Sequence, residues 1–521
     1  MNIFNHQNVG TTEEKGEDAR RTILAGTNLI GDILKSTLGP KGMLKILKGD
    51  SNNLSVTNDG ASILKDLQID SASARILINA SVGQDFEEGD GTTTVGVLTS
   101  SIIRETSKLK IHPSKIIKGL RMAQEKAEEI LESVAVEASE MDLSFLIKTC
   151  LCSKVLRYEL ALFSEICIKA MENLKDLKMI QIIKCPGRLE DSYLDSGFIL
   201  DKDIEIKEMD NPKVLIANTS LDQDKIKVFG AKISVNTVED LAQMEQIEHE
   251  KMKAKIENIC SRTFDCFINR QLIYDYPMQL LKLKNVQPIE HADFDGVERL
   301  STVLGGKIIS TFDEIEEDKQ DDSVDTDDLV LGNCDKIYNV YIGNKRMIKF
   351  DGVKKGASTI VLFGSSKEML DEAERSIHDA LCVLLKIKEG DNKKNIVYGG
   401  GSSEMAIGVG LAKYALEIPG VESEAILAVA DAYQEIPMVL AENGGYNGTE
   451  IRASLRNKHN KGEFTYGVDV QKGEIACMKT KNVIDSYRIK KRVIKASSEV
   501  AQMIVKCDGV VKCKPRERTR H

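Results

Sequence analysis

A short run of glycines, an acid and threonines constrains this chain more than anything else in it. Gly89-Asp90-Gly91-Thr92-Thr93-Thr94 feeds directly into a segment whose apolar residues, Val95, Leu98, Ile102 and Ile103, recur at helical spacing. Glycine lets the backbone turn sharply and approach a ligand, and a helix beginning there presents N–H groups with no intrahelical partner. Helix N-termini attract anions. The run therefore reads as a phosphate cradle, with Asp90 as a carboxylate able to hold Mg2+ and the threonines as hydroxyl donors. Gly-Asp-Gly is also an ordinary turn, so its meaning depends on what else the chain brings.

The bulk properties remove several classes of function. A formal net charge of −10 argues against a nucleic-acid-binding surface, which needs a basic stripe to neutralise phosphates. Aromatic residues make up 5% of the chain and Trp is absent, so base-stacking platforms are not expected either. No run of eighteen apolar residues is present, and no membrane span is expected. The first residues, MNIFNHQNVGTTEEKGEDARR, hold no apolar stretch of a secretory signal, and the 11 cysteines are scattered. We expect free thiols in a reducing, cytoplasmic compartment. Cys150-Leu151-Cys152 is the one close pair, and no further ligands at metal-binding spacing accompany it.

Periodicity divides the chain into helical, mixed and helical parts. Thr22–Leu34 reads as a helix that stops at Gly39-Pro40-Lys41-Gly42, Leu54–Val56 as a short strand, and the stretch from Ser114 as a long amphipathic helix. Strand-like runs then follow at Met179–Ile183, Val214–Ala217, Lys225–Val228 and Cys266–Ile268, with a charged helix at Val238–Ile259 between them. Residues 313–328, DEIEEDKQDDSVDTDD, read as a solvated loop. Strands return at Ile337–Ile342 and Thr359–Leu362, and helices dominate from Glu368 onward, interrupted by Gly399–Gly401 and Gly467–Gly473. This order suggests a middle domain inserted into a discontinuous helical one whose termini lie close together.

Neither a Walker A pattern nor a G-x-G-x-x-G fingerprint occurs, so a nucleotide site would have to be assembled from separated turns. The segments LKSTLGPKGM (34–43), VTNDGASILKD (56–66), GDGTTTV (89–95) and YGGGSSEM (398–405) supply such turns. In order and spacing they resemble the nucleotide-binding motifs of the group II chaperonins, and the likeness runs over nearly the whole chain. The middle segments DSYLDSGFILDK (191–202), CFINRQLIYDYP (266–277), IEHADFDGVERL (289–300) and DEAERSIHDALCVL (371–384) are more similar to one paralogue of the eukaryotic cytosolic chaperonin than to archaeal thermosome subunits.

The resemblance implies a multidomain α and α/β chaperonin fold. It has a mainly α equatorial ATP-binding domain (1–140 and 396–521) and a small α/β intermediate hinge domain (141–204 and 356–395). Residues 205–355 would form an α/β apical domain that binds substrate and carries a helical protrusion as a lid. It also implies a role for each matching residue. Leu38, Gly39 and Pro40 would line the nucleotide. Asp90 would hold Mg2+, with Gly91, Thr92, Thr93 and Thr94 on the phosphates. Asp59, followed by Gly60, would help place the attacking water, and Asp379 would be the catalytic aspartate. Lys154 would sense the γ-phosphate. Gly400, Gly401, Gly467 and Asp469 would face the ribose and adenine. Asp485 stands where the family more usually carries Glu. ATP and Mg2+ are thus the implied cofactors. The implied partners are paralogous subunits of a hetero-oligomeric double ring and unfolded proteins, cytoskeletal proteins among them, with no nucleic acid or membrane.

On the residues alone several of these positions read differently. Asp379 points away from the apolar stripe Leu370, Ala373, Ile377, Ala380 and Leu384 of its helix, as a solvated aspartate would. Lys154 reads as a surface lysine, Asp59 as a turn former and the glycine triplet as a flexible lead-in. Two alternative functions accompany the ATPase reading: a chaperonin-like scaffold or assembly factor without ATPase activity, and a homo-oligomeric archaeal-type chaperonin. The first would be expected to lose the glycine turn or the catalytic aspartate, and this chain keeps both. The altered segment TCLCSKV (149–155), the long acidic loop and the basic tail KCKPRERTRH depart from the family pattern.

Overall fold

The computed structural model describes residues 12–49, 54–67, 69–137, 140–172, 174, 176–221, 238–290, 294–310, 312, 330–354, 356–389 and 394–512. The expected strand at Lys225–Val228, the acidic loop 313–328 and the tail beyond Lys512 lie outside them. The chain forms two compact units, one of residues 1–168 and 367–521, the other of residues 169–366.

The first unit is a helical body built around Thr92–Ser107, the helix that follows the glycine turn. Its apolar residues are not confined to one stripe: Val95, Val97, Leu98, Ile102 and Ile103 are all buried, as a helix enclosed by others requires. Helices Gly16–Lys35, Ala72–Glu88, Glu422–Asn443 and Tyr487–Lys506 pack against it. Pro113–Val134 packs on Glu422–Asn443 and Tyr487–Lys506, burying Ile116, Leu120, Ala123, Ala127 and Leu131 along the expected stripe. Residues from both ends of the sequence share a single core. Strand Thr12–Lys15 pairs antiparallel with Gly509–Lys512, so the terminal segments meet as expected.

A charged clamp fixes three of these helices. Glu435 receives Lys35 at 2.8 Å and also pairs with Arg104, joining Glu422–Asn443 to Gly16–Lys35 and Thr92–Ser107. Burial pushes the Glu435 carboxyl up, but hydrogen bonds from Lys35, Ser101 and Arg104 outweigh it and hold the group below the usual carboxylate range. Glu435→Ala should leave two cations facing one another and cost about 3 kcal/mol. The check is thermal unfolding of the assembled complex; an unchanged midpoint would show that solvent already screens the clamp.

The C-terminal part of this unit is less purely helical than its sequence suggests. Lys394–Tyr398 lies between Ile484–Ser486 and Val136–Glu137 in a three-stranded antiparallel sheet, and Tyr466–Asp469 forms a hairpin with Glu474–Cys477. These strands are short, and their partners are distant or lie across a turn. Local periodicity therefore does not reveal them.

The second unit is α/β. Lys213–Ala217, Cys266–Asn269 and Gln287–Ile289 run parallel, with Ile308–Ile309 parallel on the other edge of Lys213–Ala217. Their central residues Val214, Leu215, Ile216, Phe267 and Ile268 are fully buried, the near-continuous apolar pattern of strands covered on both faces. Helices Val238–Ile259, Asp275–Leu283 and Phe294–Leu304 complete this part. Lys336–Ile342 and Lys345–Asp351 form a hairpin within a four-stranded sheet, and Ser358–Gly364 lies parallel to Ile180–Pro186 in a three-stranded one.

Candidate nucleotide site

Within the first unit the separated turns converge on one cavity of about 620 Å³. Leu38, Gly39 and Pro40 line it, as do Asp90 through Thr94, Lys154, Gly400, Gly401, Asp469 and Asp485. Asp59, Gly60, Asp379 and Gly467 are not on its wall but stand behind residues that are.

Two helices open into the cavity through glycine. Gly91 is the N-cap of Thr92–Ser107 and Gly401 that of Ser402–Glu417, at φ 83° and 75°, and neither helix start has a side-chain cap. The left-handed φ favours glycine, and the absence of a capping side chain leaves the first-turn N–H groups facing the cavity. Asp90 is held in place: its Oδ1 accepts from Gly91 N at 2.7 Å, and its carbonyl accepts from Gln84 at 3.0 Å.

Behind the cradle, Asp59 caps the helix Gly60–Asp66, accepting from Ala61 N at 3.3 Å and Ser62 N at 2.9 Å. The turn-forming role and the proposed chemical one coincide here, because Thr92 Oγ1 donates to the same carboxylate at 3.1 Å. A β-carbon on Gly60 would lie 2.8 Å from the backbone N of Thr93, so only glycine lets the two helix starts approach this closely.

Asp379 and Lys154 correct the reading from periodicity alone. Neither is a solvated surface group: Asp379 is 6% exposed, and Lys154 Nζ lies 2.6 Å from its Oδ2. Their side chains meet across 225 residues of sequence. Burial disfavours the Lys154 ammonium, but Asp379, Asp59 and Asp90 around it raise its pKa well above the ordinary lysine value. Burial pushes the Asp379 carboxyl up to about 8, against the pull of Lys154 and with added repulsion from Asp59 and Asp90. Asp59 is likewise disfavoured by burial, yet Lys154, Ser62 and Thr92 hold it below the usual range. Three carboxyl groups thus share one ammonium.

At the opposite end Gly467 packs under the glycine triplet. Val468 N donates to Gly400 O at 2.8 Å, and a β-carbon on Gly467 would strike the carbonyls of Gly399 and Gly400. Asp469 pairs with Lys481 at 3.0 Å. Asp485 lies 3.0 Å from Lys490, which also reaches the buried Glu404 at 2.5 Å. Of these three, Asp485 is expected here from the resemblance and Glu404 follows the glycine triplet, whereas Lys490 carries no signal in the sequence. Lys490 stands in the run RIKKRV, where nothing local distinguishes it from Lys491 and the flanking arginines. Cys150 was missed as well: its thiol donates to Asp90 Oδ2 at 3.5 Å.

The family model for the TCP-1/cpn60 chaperonins matches residues 30–515, and the chain belongs to that family. It is 63% identical to the T-complex protein 1 subunit beta of Encephalitozoon cuniculi, over 100% of both chains. It is 43% identical to the T-complex protein 1 subunit beta of Homo sapiens, over 99% of this chain and 97% of that one. The probable T-complex protein 1 subunit beta of Schizosaccharomyces pombe is also 43% identical, over 99% and 98%. The middle segments that pointed to one eukaryotic paralogue agree with these names. The chain is a chaperonin subunit that acts in protein folding. Among the described residues no helix is long and apolar enough to cross a membrane.

Proposed function

We propose that this chain binds Mg2+–ATP in the cavity at Gly91 and hydrolyses it, as one subunit of a cytoplasmic double ring of paralogues that encloses unfolded proteins. The observation that carries this reading is the Asp379–Lys154 pair, buried close to Asp59, whose carboxylate accepts from Thr92 at the first of the two open helix starts. Such a site offers what phosphoryl transfer to water needs, namely positioning and charge stabilisation.

The residues fit Mg2+. Asp90 is the carboxylate on the glycine turn, and no cluster of three or more His, Cys, Asp or Glu among the described residues forms an all-protein cage. Mg2+ is commonly held by one or two carboxylates together with substrate phosphates. When bound, it would neutralise phosphate charge. The N–H groups at Thr92 to Thr94 would bind phosphate oxygens, and the Lys154 ammonium would meet the terminal phosphate. Asp59 and Asp379 would orient a water and accept its proton. Gly400, Gly401, Gly467, Asp469 and Asp485 would bound the nucleoside end. In this reading 1–140 and 396–521 form the equatorial part, 141–204 and 356–395 the hinge, and 205–355 the substrate-binding and lid part. Cytoskeletal proteins among the enclosed substrates follow from the family resemblance.

Asp90→Ala in the assembled complex should weaken Mg2+–ATP binding to this chain by at least about tenfold while sparing Mg2+-free nucleotide binding. Photo-crosslinking with an azido-ATP analogue, with and without Mg2+, reads both. Equal labelling of variant and wild type with Mg2+ present would overturn the assignment.

A further inference from the structure

Helix Tyr487–Lys506 begins at a second cavity, of about 260 Å³, that the ATP reading does not use. Its charged lining is entirely cationic, consisting of Lys386, Arg488 and Lys491, and Asn395 adds an amide. The helix opens with Ser486 as N-cap and no acidic residue in its first turn. The hydroxyl of Ser486 makes no capping hydrogen bond, and its oxygen has no hydrogen-bond partner, although the residue is only 3% exposed. A buried hydroxyl left unsatisfied is costly, and a native site that tolerates one commonly holds a further group there.

We propose that this cavity is a binding site for a small phosphate-class anion, distinct from the nucleotide site. The Ser486 hydroxyl and the first-turn N–H groups would donate to it, and Lys386, Arg488 and Lys491 would neutralise it. Arg488 is already oriented by Glu88 at 3.1 Å, and Lys491 lies 5.9 Å from the Tyr487 ring centre. The volume suits inorganic phosphate or pyrophosphate rather than a whole nucleotide. Ser486 also lines the nucleotide cavity, and its neighbour Asp485 faces Lys490 there. Any effect of the anion on nucleotide affinity, carried through the strand Ile484–Ser486, must be matched by an equal effect of nucleotide on the anion.

The test uses the assembled complex with its nucleotide sites saturated by Mg2+–ADP, so that binding there does not contribute. Pyrophosphate binding is followed by calorimetry for wild type and for a complex carrying both Lys386→Gln and Lys491→Gln in this chain. The expected result is one fewer pyrophosphate bound per copy of this chain in the variant, or at least tenfold weaker binding at that site. Backbone hydrogen exchange at 484–491 should slow with pyrophosphate in wild type and not in the variant. Asn395→Asp, which adds a negative charge without removing a lysine, should also abolish the effect. Identical stoichiometry and affinity in wild type and variants, or exchange at 484–491 unmoved by pyrophosphate, would overturn the proposal.

Discussion

Asp379→Asn should reduce ATP hydrolysis by this chain about 10²- to 10⁴-fold while leaving its ATP affinity within about twofold, the range expected when a positioned base is lost. The substitution keeps the shape of the side chain and removes only its charge and basicity. Asp379 is not on the cavity wall; it reaches the site through Lys154 at 2.6 Å and shares that ammonium with Asp59 and Asp90. In the proposed mode binding would rest on the glycine turns and open helix starts, which the substitution does not touch. Because neighbouring paralogues would hydrolyse ATP in the same ring, total turnover is the wrong readout. Crosslinked nucleotide recovered from this chain alone should be ATP in the variant and ADP in wild type. ADP in both would assign Asp379 a structural role.

Lys154→Met should damage both binding and turnover. Asp59, Asp90 and Asp379 would lose the ammonium they share, which would otherwise meet the terminal phosphate, and breaking a buried pair costs about 3 kcal/mol of stability. The sign of the pH effect follows from the same cluster. Burial already pushes the Asp379 carboxyl up to about 8, and Lys154 is the group pulling it down. Without Lys154 the pKa rises further, so a still smaller fraction of the carboxyl is ionised at neutral pH and able to accept a proton from water. Hydrolysis by wild-type chain should increase as pH rises through about 8; in Lys154→Met that increase should move to higher pH. Lys154→Arg, which keeps the charge, should restore the wild-type position. Profiles that coincide for wild type and Lys154→Met would sink the idea that this lysine tunes the aspartate.

What the sequence made legible was local. The Gly89–Thr94 turn, the helix after it and the amphipathic stripe from Ile116 to Leu131 each carry their own signal in turn chemistry or period, and each is found where expected. Asp379 and Lys154 are invisible by that standard. A charge off the apolar stripe of a helix looks solvated unless its counter-charge is known, and here the counter-charge lies 225 residues away. Lys490 is hidden for a second reason: it sits among other basic residues, and only tertiary packing distinguishes the one that faces Glu404 and Asp485. Strands such as Ile484–Ser486 are too short to show a period and exist because Lys394–Tyr398 pairs with them.

The pairing of Thr12–Lys15 with Gly509–Lys512 has a consequence for how this chain comes into being. The first 168 residues leave the ribosome without the helices Ser402–Glu417, Glu422–Asn443 and Tyr487–Lys506 that complete their core. At about 5–20 residues per second, tens of seconds pass before the final strand emerges. Residues 169–366, which hold their own apolar clusters, are fully synthesised well before that. A subunit that shelters other unfinished proteins therefore spends its own synthesis with half a core open, and its birth is a post-translational event.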